Sequence, residues 1–77
     1  MSRNNIEEII TKSLEKYYRD LDGERPSNLY DMVVLTVERP MLEVVMKHAE
    51  GNQSLASDML GINRNTLRKK LQQHGMI

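Results

Sequence analysis

Four cations lie close together near the end of this 77-residue chain: Arg64, Arg68, Lys69 and Lys70. Arg64 and Arg68 are four residues apart, so on a helix they stack on one side. A guanidinium offers a planar fork of donors that matches O6 and N7 of guanine. An ammonium is a point charge better suited to phosphate. Asn52 and Asn63 each stand where a helix would begin, and the N–H groups at such ends can also face phosphate. The chemistry on offer is recognition of a polyanion.

The charge distribution agrees. The chain is neutral overall, with 11 basic and 11 acidic residues. Residues 1–50 hold 7 basic and 10 acidic residues, net −3; residues 51–77 hold 4 and 1, net +3. An acidic body with a basic end points that end toward a polyanion. The bland reading is a solvated helix face.

Other chemistry is poorly served. There is no cysteine, so neither a disulfide nor a thiolate metal site can form. His48 and His74 lack companions at zinc-like spacing and read as cap or packing residues. Glu7 and Glu8 suit the first turn of a helix better than a catalytic pair. The six methionines read as core filler. With no activated nucleophile, metal set or phosphate loop in view, the reading is a non-enzyme without cofactor. No apolar run reaches the ~20 residues that span a bilayer, and MSRNNIEEIITKS lacks a signal-peptide core. A cytoplasmic protein is expected.

Punctuation divides the chain into four helices and no strand, an all-α fold. The first spans about Ile6 to Leu21, with Asn5 and Glu8 resembling a capping box. Ile6, Ile9, Ile10, Leu14, Tyr17 and Leu21 share one face. Tyr17 and Tyr18 should split between core and surface. After a loop at Asp22 to Pro26, the second helix spans about Asn28 to Glu50, with Ser27 as N-cap. Its polar residues Glu38, Arg39, Glu43, Lys47 and Glu50 form a narrow stripe, and the rest is apolar. Pro40 should kink this helix without stopping it. Gly51 reads as its C′ residue. A short third helix spans about Gln53 to Leu60, capped by Asn52. A fourth spans about Arg64 to Gln73, capped by Asn63 and closed by Gly75.

Seventy-seven residues cannot cover the second helix on nearly all sides. The remainder would be an exposed apolar patch, which a soluble monomer seldom tolerates. Pairing with a second copy across a twofold removes it. A homodimer is therefore expected; a monomeric bundle is the alternative.

Residues 53–72 have the parts of a helix-turn-helix. Ala56 and Ser57 are small enough for a close helix crossing, and Gly61 can take the left-handed turn. Leu60, Ile62, Leu67 and Leu71 supply a shared core. With the leucines inward, Arg64, Asn65, Arg68, Lys69 and Gln72 face outward, and Arg64 lies in the first turn, where recognition helices meet base edges. An αα-hairpin with a solvated basic face is the competing reading.

Gly51-Asn-Gln-Ser, Met59 to Leu71 and Gly75-Met76 closely resemble the C-terminal region of the Fis family, the bacterial factors for inversion stimulation. The resemblance extends through Leu29-Tyr30, Glu38 to Pro40 and Val44 to Met46, nearly the whole chain. It implies one domain over residues 1–77: an interlocked dimer core over about 5–50 and a helix-turn-helix over about 51–77. It implies a nucleoid-associated regulator that binds degenerate sites and bends DNA, with RNA polymerase or recombination proteins as further partners. Arg64 matches an arginine that reads a guanine, and Asn63 an asparagine that constrains base identity. Asn52, Ser54, Thr66, Lys69 and Lys70 match phosphate contacts. Arg68 matches an arginine that engages flanking DNA.

This chain departs from the family pattern in places. Ser54 stands for a threonine, Asn65 for a glycine, Leu55 for a basic residue and Gln72-Gln73 for two lysines. Fewer flanking cations imply less wrapping and a shallower salt dependence. Longer members carry an N-terminal arm that contacts a DNA invertase; the expectation here is DNA binding without stimulation of inversion. The DNA-binding domain of NtrC-type activators resembles the same unit, but no AAA+ module or receiver accompanies it here. A helical protein-interaction module is the other alternative.

Overall fold

The apolar spacing read from the sequence produces four helices in a computed structural model that describes residues 5–77: α1 (Asn5–Leu21), α2 (Leu29–His48), α3 (Gln53–Leu60) and α4 (Arg64–Gln73). The fold is all-α. The first four residues of the N-terminal stretch read for a signal peptide lie outside the described residues.

α2 and α3–α4 pack around one small core. Leu42 and Ala49 of the α2 segment meet Ala56 of α3 and Leu67 and Leu71 of α4, all buried, with Val45, Met46, Leu60, Ile62 and Met76 packed around them. The small residues Ala56 and Ser57 are both buried, as a close helix crossing requires. α2 runs through Pro40 unbroken.

The ends of α2, α3 and α4 share one device. The N–H groups of Gly51, Ile62 and Met76 reach back to the carbonyls of Met46, Ser57 and Leu71 at 3.0, 3.1 and 2.8 Å. Each is the six-to-one bond of a Schellman end, which requires a left-handed residue just before it. Gly61 (φ 73°) and Gly75 (φ 68°) fill that place after α3 and α4. The apolar residues that follow, Ile62 and Met76, fold back onto the core.

Four local expectations are corrected. After α2 the left-handed C′ residue is Glu50 (φ 53°), with Gly51 one position beyond. α2 is preceded by Asn28 in a left-handed conformation that makes no side-chain cap bond, so Ser27 is not the cap. Asparagine tolerates this conformation better than most residues, which lets the chain turn out of the Pro26 loop directly into the helix. Asn5 already lies within α1 instead of capping it. Glu38 does not belong to a solvated stripe; it is 7% exposed and faces inward.

α1 behaves differently. It is amphipathic, yet none of its described residues is buried. Ile10, Leu14, Tyr17 and Leu21 are half-buried, and Tyr18 is exposed, its ring edge-on to Tyr17. Between α1 and α2 runs an apolar groove of about 500 Å³, lined by Ile6, Ile9, Ile10, Val37, Met41 and Val44 among others. The chain's radius of gyration is 15.2 Å, against about 11.5 Å for a compact domain of this length. Its accessible surface is 6269 Å², roughly 1,400 Å² more than a folded monomer of this mass exposes.

Candidate nucleic-acid interface

Apart from Lys70, the residues singled out from the sequence gather on α3 and α4 and the caps that precede them, exposed to solvent. Asn52 and Asn63 cap the two helices. The Asn52 Oδ1 accepts from the Leu55 N–H at 3.1 Å, and the Asn63 Oδ1 from the Asn65 N–H at 2.7 Å. Capping fixes the polarity of each amide: the oxygen is committed, and the NH₂ is left to donate outward. Such a group suits phosphate oxygens or the acceptor edge of a purine.

Arg64 opens α4, and its Nη1 donates to the Ser54 Oγ at 3.2 Å. This bond ties the first turns of α3 and α4 together at the surface. Because the Ser54 hydroxyl accepts from Arg64, its own proton remains for another acceptor. Ser57, one turn on, is turned away from this surface and donates to the Ser54 carbonyl at 2.8 Å.

Thr66, Arg68 and Lys69 are exposed on α4, while Leu67 and Leu71 of the same helix are wholly buried. The 3.6-residue period therefore separates an apolar inner side from a cationic outer side. α4 holds no acidic residue, and Asp58 is the one acid from position 51 onward.

Lys70 is placed apart from the others. It turns toward α2, and its Nζ donates to the Glu38 Oε2 at 2.7 Å. His74 lies beside it, largely buried, with Nε2 2.8 Å from the Glu38 Oε1. Arg39 adds a bond from Nη1 to the His74 carbonyl at 2.6 Å. The hydrogen bonds from Lys70 and then His74 hold the Glu38 carboxyl below its ordinary value, against the opposing effect of burial. No buried side-chain nitrogen or oxygen among the described residues lacks a partner.

The sequence reading missed this cluster, although a signal was present. Leu67, Lys70, Leu71 and His74 follow three-and-four spacing, which puts Lys70 and His74 on the leucine side of α4. A cation on an apolar face calls for a buried carboxylate opposite, and Glu38 lies one turn from the buried Leu42.

Comparisons with known proteins agree with this architecture. The family model of bacterial regulatory proteins of the Fis family matches residues 35–74, from α2 through α4. A protein of Ralstonia nicotianae that bears a Fis-like DNA-binding protein's name is 70% identical over all 77 residues, covering both chains fully. A Neisseria meningitidis protein named in the same way is 55% identical over 95% of this chain and 92% of its own. The DNA-binding protein Fis of Glaesserella parasuis is 49% identical over 92% of this chain and 72% of its own. The cationic outer side of α4, the capped and glycine-closed helix pair beneath it and these matches together place the chain in the Fis family.

Proposed function

We propose that this chain acts as a homodimer that binds duplex DNA at degenerate sites, with α4 in the major groove, and bends it. One observation carries the reading: Arg64, Arg68 and Lys69 stand exposed on one side of a helix whose other side is a buried leucine core. Arg64, in the first turn and braced by Ser54, is the base reader. Asn63 beside it donates to base acceptors. Asn52, Ser54, Thr66 and Lys69 face phosphate, and Arg68 engages flanking DNA. Relatives named as DNA-binding proteins match across nearly the whole chain.

The surplus surface supports the dimer. Roughly 1,400 Å² per chain lies in the range of an obligate interface. Of the large apolar side chains left exposed, most lie on α1 and α2, over about residues 5–50, among them Ile6, Ile9, Met41 and Val44, while residues 51–77 form the DNA-binding unit. No helix among the described residues is long and apolar enough to cross a membrane.

The deciding experiment is fluorescence anisotropy on a short duplex across a salt series. With Arg64 on a base and Arg68 and Lys69 on phosphate, a dimer displaces about four counterions, giving a log–log slope of roughly −4. Arg64→Ala should lose sequence preference and about 1–3 kcal/mol per guanine contact. Absence of duplex binding at low salt would overturn the reading, leaving the cationic side as solvated surface and favouring a protein-interaction module.

A further inference from the structure

Glu38 links the two halves of the molecule. It is buried on α2 one turn from Leu42, and it takes Lys70 Nζ on one oxygen and His74 Nε2 on the other. Arg39, its neighbour, holds the His74 carbonyl. All three bonds join one turn of α2 to the last turns of α4. None lies near Arg64, at the opposite end of the helix.

We propose that Glu38 is a positioning residue: with Lys70 and His74 it sets the tilt of α4 on α2 and, through that tilt, the curvature of bound DNA. The inference rests on the reading of the chain as a dimeric DNA bender.

The remaining contacts between α4 and α2 are apolar. Leu67, Leu71 and Met76 pack against Leu42, Val45 and Met46. Such contacts are non-directional, and a short helix can rock on them. Charge-assisted hydrogen bonds are directional, and two of them converge here on one buried carboxylate. A buried ion pair of this kind often adds little net stability over apolar packing. Its effect here is on geometry.

The arrangement is a lever. From Arg64 to His74 is ten residues, about 15 Å along the axis. A clamp at the His74 end therefore governs where the reading end points. α2 also carries the uncovered apolar face that a second copy would meet. The α2–α4 angle thus relates the dimer core to each recognition helix. Across a twofold the same tilt occurs on both sides, so a change in one protomer is doubled in the spacing of the two reading ends. Bent DNA pushes back elastically against the protein that bends it. A clamp that yields lets the duplex straighten.

Lys70 gives the inference a second consequence. Its ammonium is already engaged by Glu38, so it contributes to orientation and not to counterion release. Lys69, next to it, is exposed and does contribute.

The test uses a duplex of about 30 base pairs, enough for one bent site, with donor and acceptor dyes at its ends. It is saturated with wild type, Glu38→Gln, Lys70→Met or His74→Phe. Glu38→Gln and Lys70→Met keep side-chain volume close to the original, His74→Phe keeps a planar ring without the nitrogens, and saturation removes any effect of a reduced folded fraction. The binding-induced rise in energy transfer should fall to roughly half in the three variants as the duplex relaxes. In a parallel salt series, Lys69→Met should make the slope shallower by roughly 2 per dimer, while Lys70→Met leaves it at the wild-type value.

Wild-type energy transfer in all three variants, with only the melting temperature lowered, would overturn the clamp and leave these contacts as stabilising alone. A Lys70→Met slope reduced like that of Lys69→Met would overturn it as well, because Lys70 would then sit on phosphate in the complex. If the wild type itself leaves energy transfer unchanged on binding, the bending reading fails first. The clamp's proposed role fails with it, a result distinct from variant-specific relaxation.

Discussion

Leu67 and Leu71 of α4 are wholly buried by the chain's own residues, whereas Ile6 and Ile9 of α1 stand 64% and 60% exposed. The contrast holds across the two regions. α3 and α4 begin at asparagine caps and end in Schellman turns whose following residues fold onto the core. α1 and α2 present apolar residues to each other across an open groove. One region satisfies its backbone and its apolar surface locally. The other has its helices but not its packing. A chain whose helices all form, yet which leaves the longer pair largely uncovered, offers the surface that the proposed second copy would cover.

The largest effect should come from a charge on the uncovered face. Val44 is 55% exposed in the single chain, so in a monomer Val44→Asp should move stability by no more than about 0.5 kcal/mol. In a dimer that buries it, an unpaired carboxylate costs about 3–5 kcal/mol. Sedimentation and thermal melts should show a protein that dissociates and unfolds at micromolar concentration. The wild-type melting temperature should rise with concentration. A monodisperse variant with unchanged melting temperature would break the comparison. Leu71→Ala, at the centre of the self-contained region, should cost about 2–5 kcal/mol. Ile9→Ala should approach that range only if a partner buries Ile9, so melts of the two side by side sharpen the contrast.

The region whose interactions are local was the more legible one. Asn52, Asn63, Gly61 and Gly75 signal their roles by residue type, and each does what its type implies. Leu67 and Leu71 reveal the inner side of α4 by spacing alone. What escaped is what depends on distant partners. Glu38 reads as one more polar residue on α2 because its partners lie 32 and 36 residues further on. Lys70 reads as one more cation in a cluster for the same reason. Glu50 was passed over as the left-handed residue after α2 because the glycine beside it has the more obvious chemistry. The uncovered side of α2 could be read only as too much apolar surface for the chain, which is an argument for a second copy but gives no register for it.

A smaller effect lies in acid. Lys70 first and His74 second hold the Glu38 carboxyl below its ordinary value of 4.5. A carboxyl lowered by folding contributes stability that is present above its unfolded value and is lost as pH falls through its folded value. Thermal melts should therefore fall off below the ordinary carboxylate range, and Glu38→Gln should flatten part of that decline. Asp20, on the exposed face of α1, is also lowered, by the hydrogen bond and charge of Lys16, and is common to both proteins. The informative quantity is thus the difference between the two proteins. Identical acid profiles would mean that the join between α2 and α4 carries no linkage.

The smallest effects lie at the helix ends, where two positions with the same role carry different residues. Gly61 after α3 and Glu50 after α2 both take positive φ, at 73° and 53°. A side chain in this conformation costs about 1 kcal/mol. A methyl group at Gly61 would meet no atom within 4 Å, so Gly61→Ala should lose about that much through the backbone alone. Glu50→Gly should run the other way and gain roughly 0.5–1 kcal/mol, the relief of strain being offset in part by a more flexible unfolded chain. It also removes a negative charge beside the negative end of α2. Melts of the two variants should move in opposite directions. If Glu50→Gly destabilises instead, the Glu50 carboxylate has a use that outweighs its strained backbone. Glu50 stands at the junction of the two regions, so repeating the melts at several protein concentrations then locates that use. A loss that grows with concentration assigns it to the association of α1 and α2, and a constant loss to the α3–α4 unit.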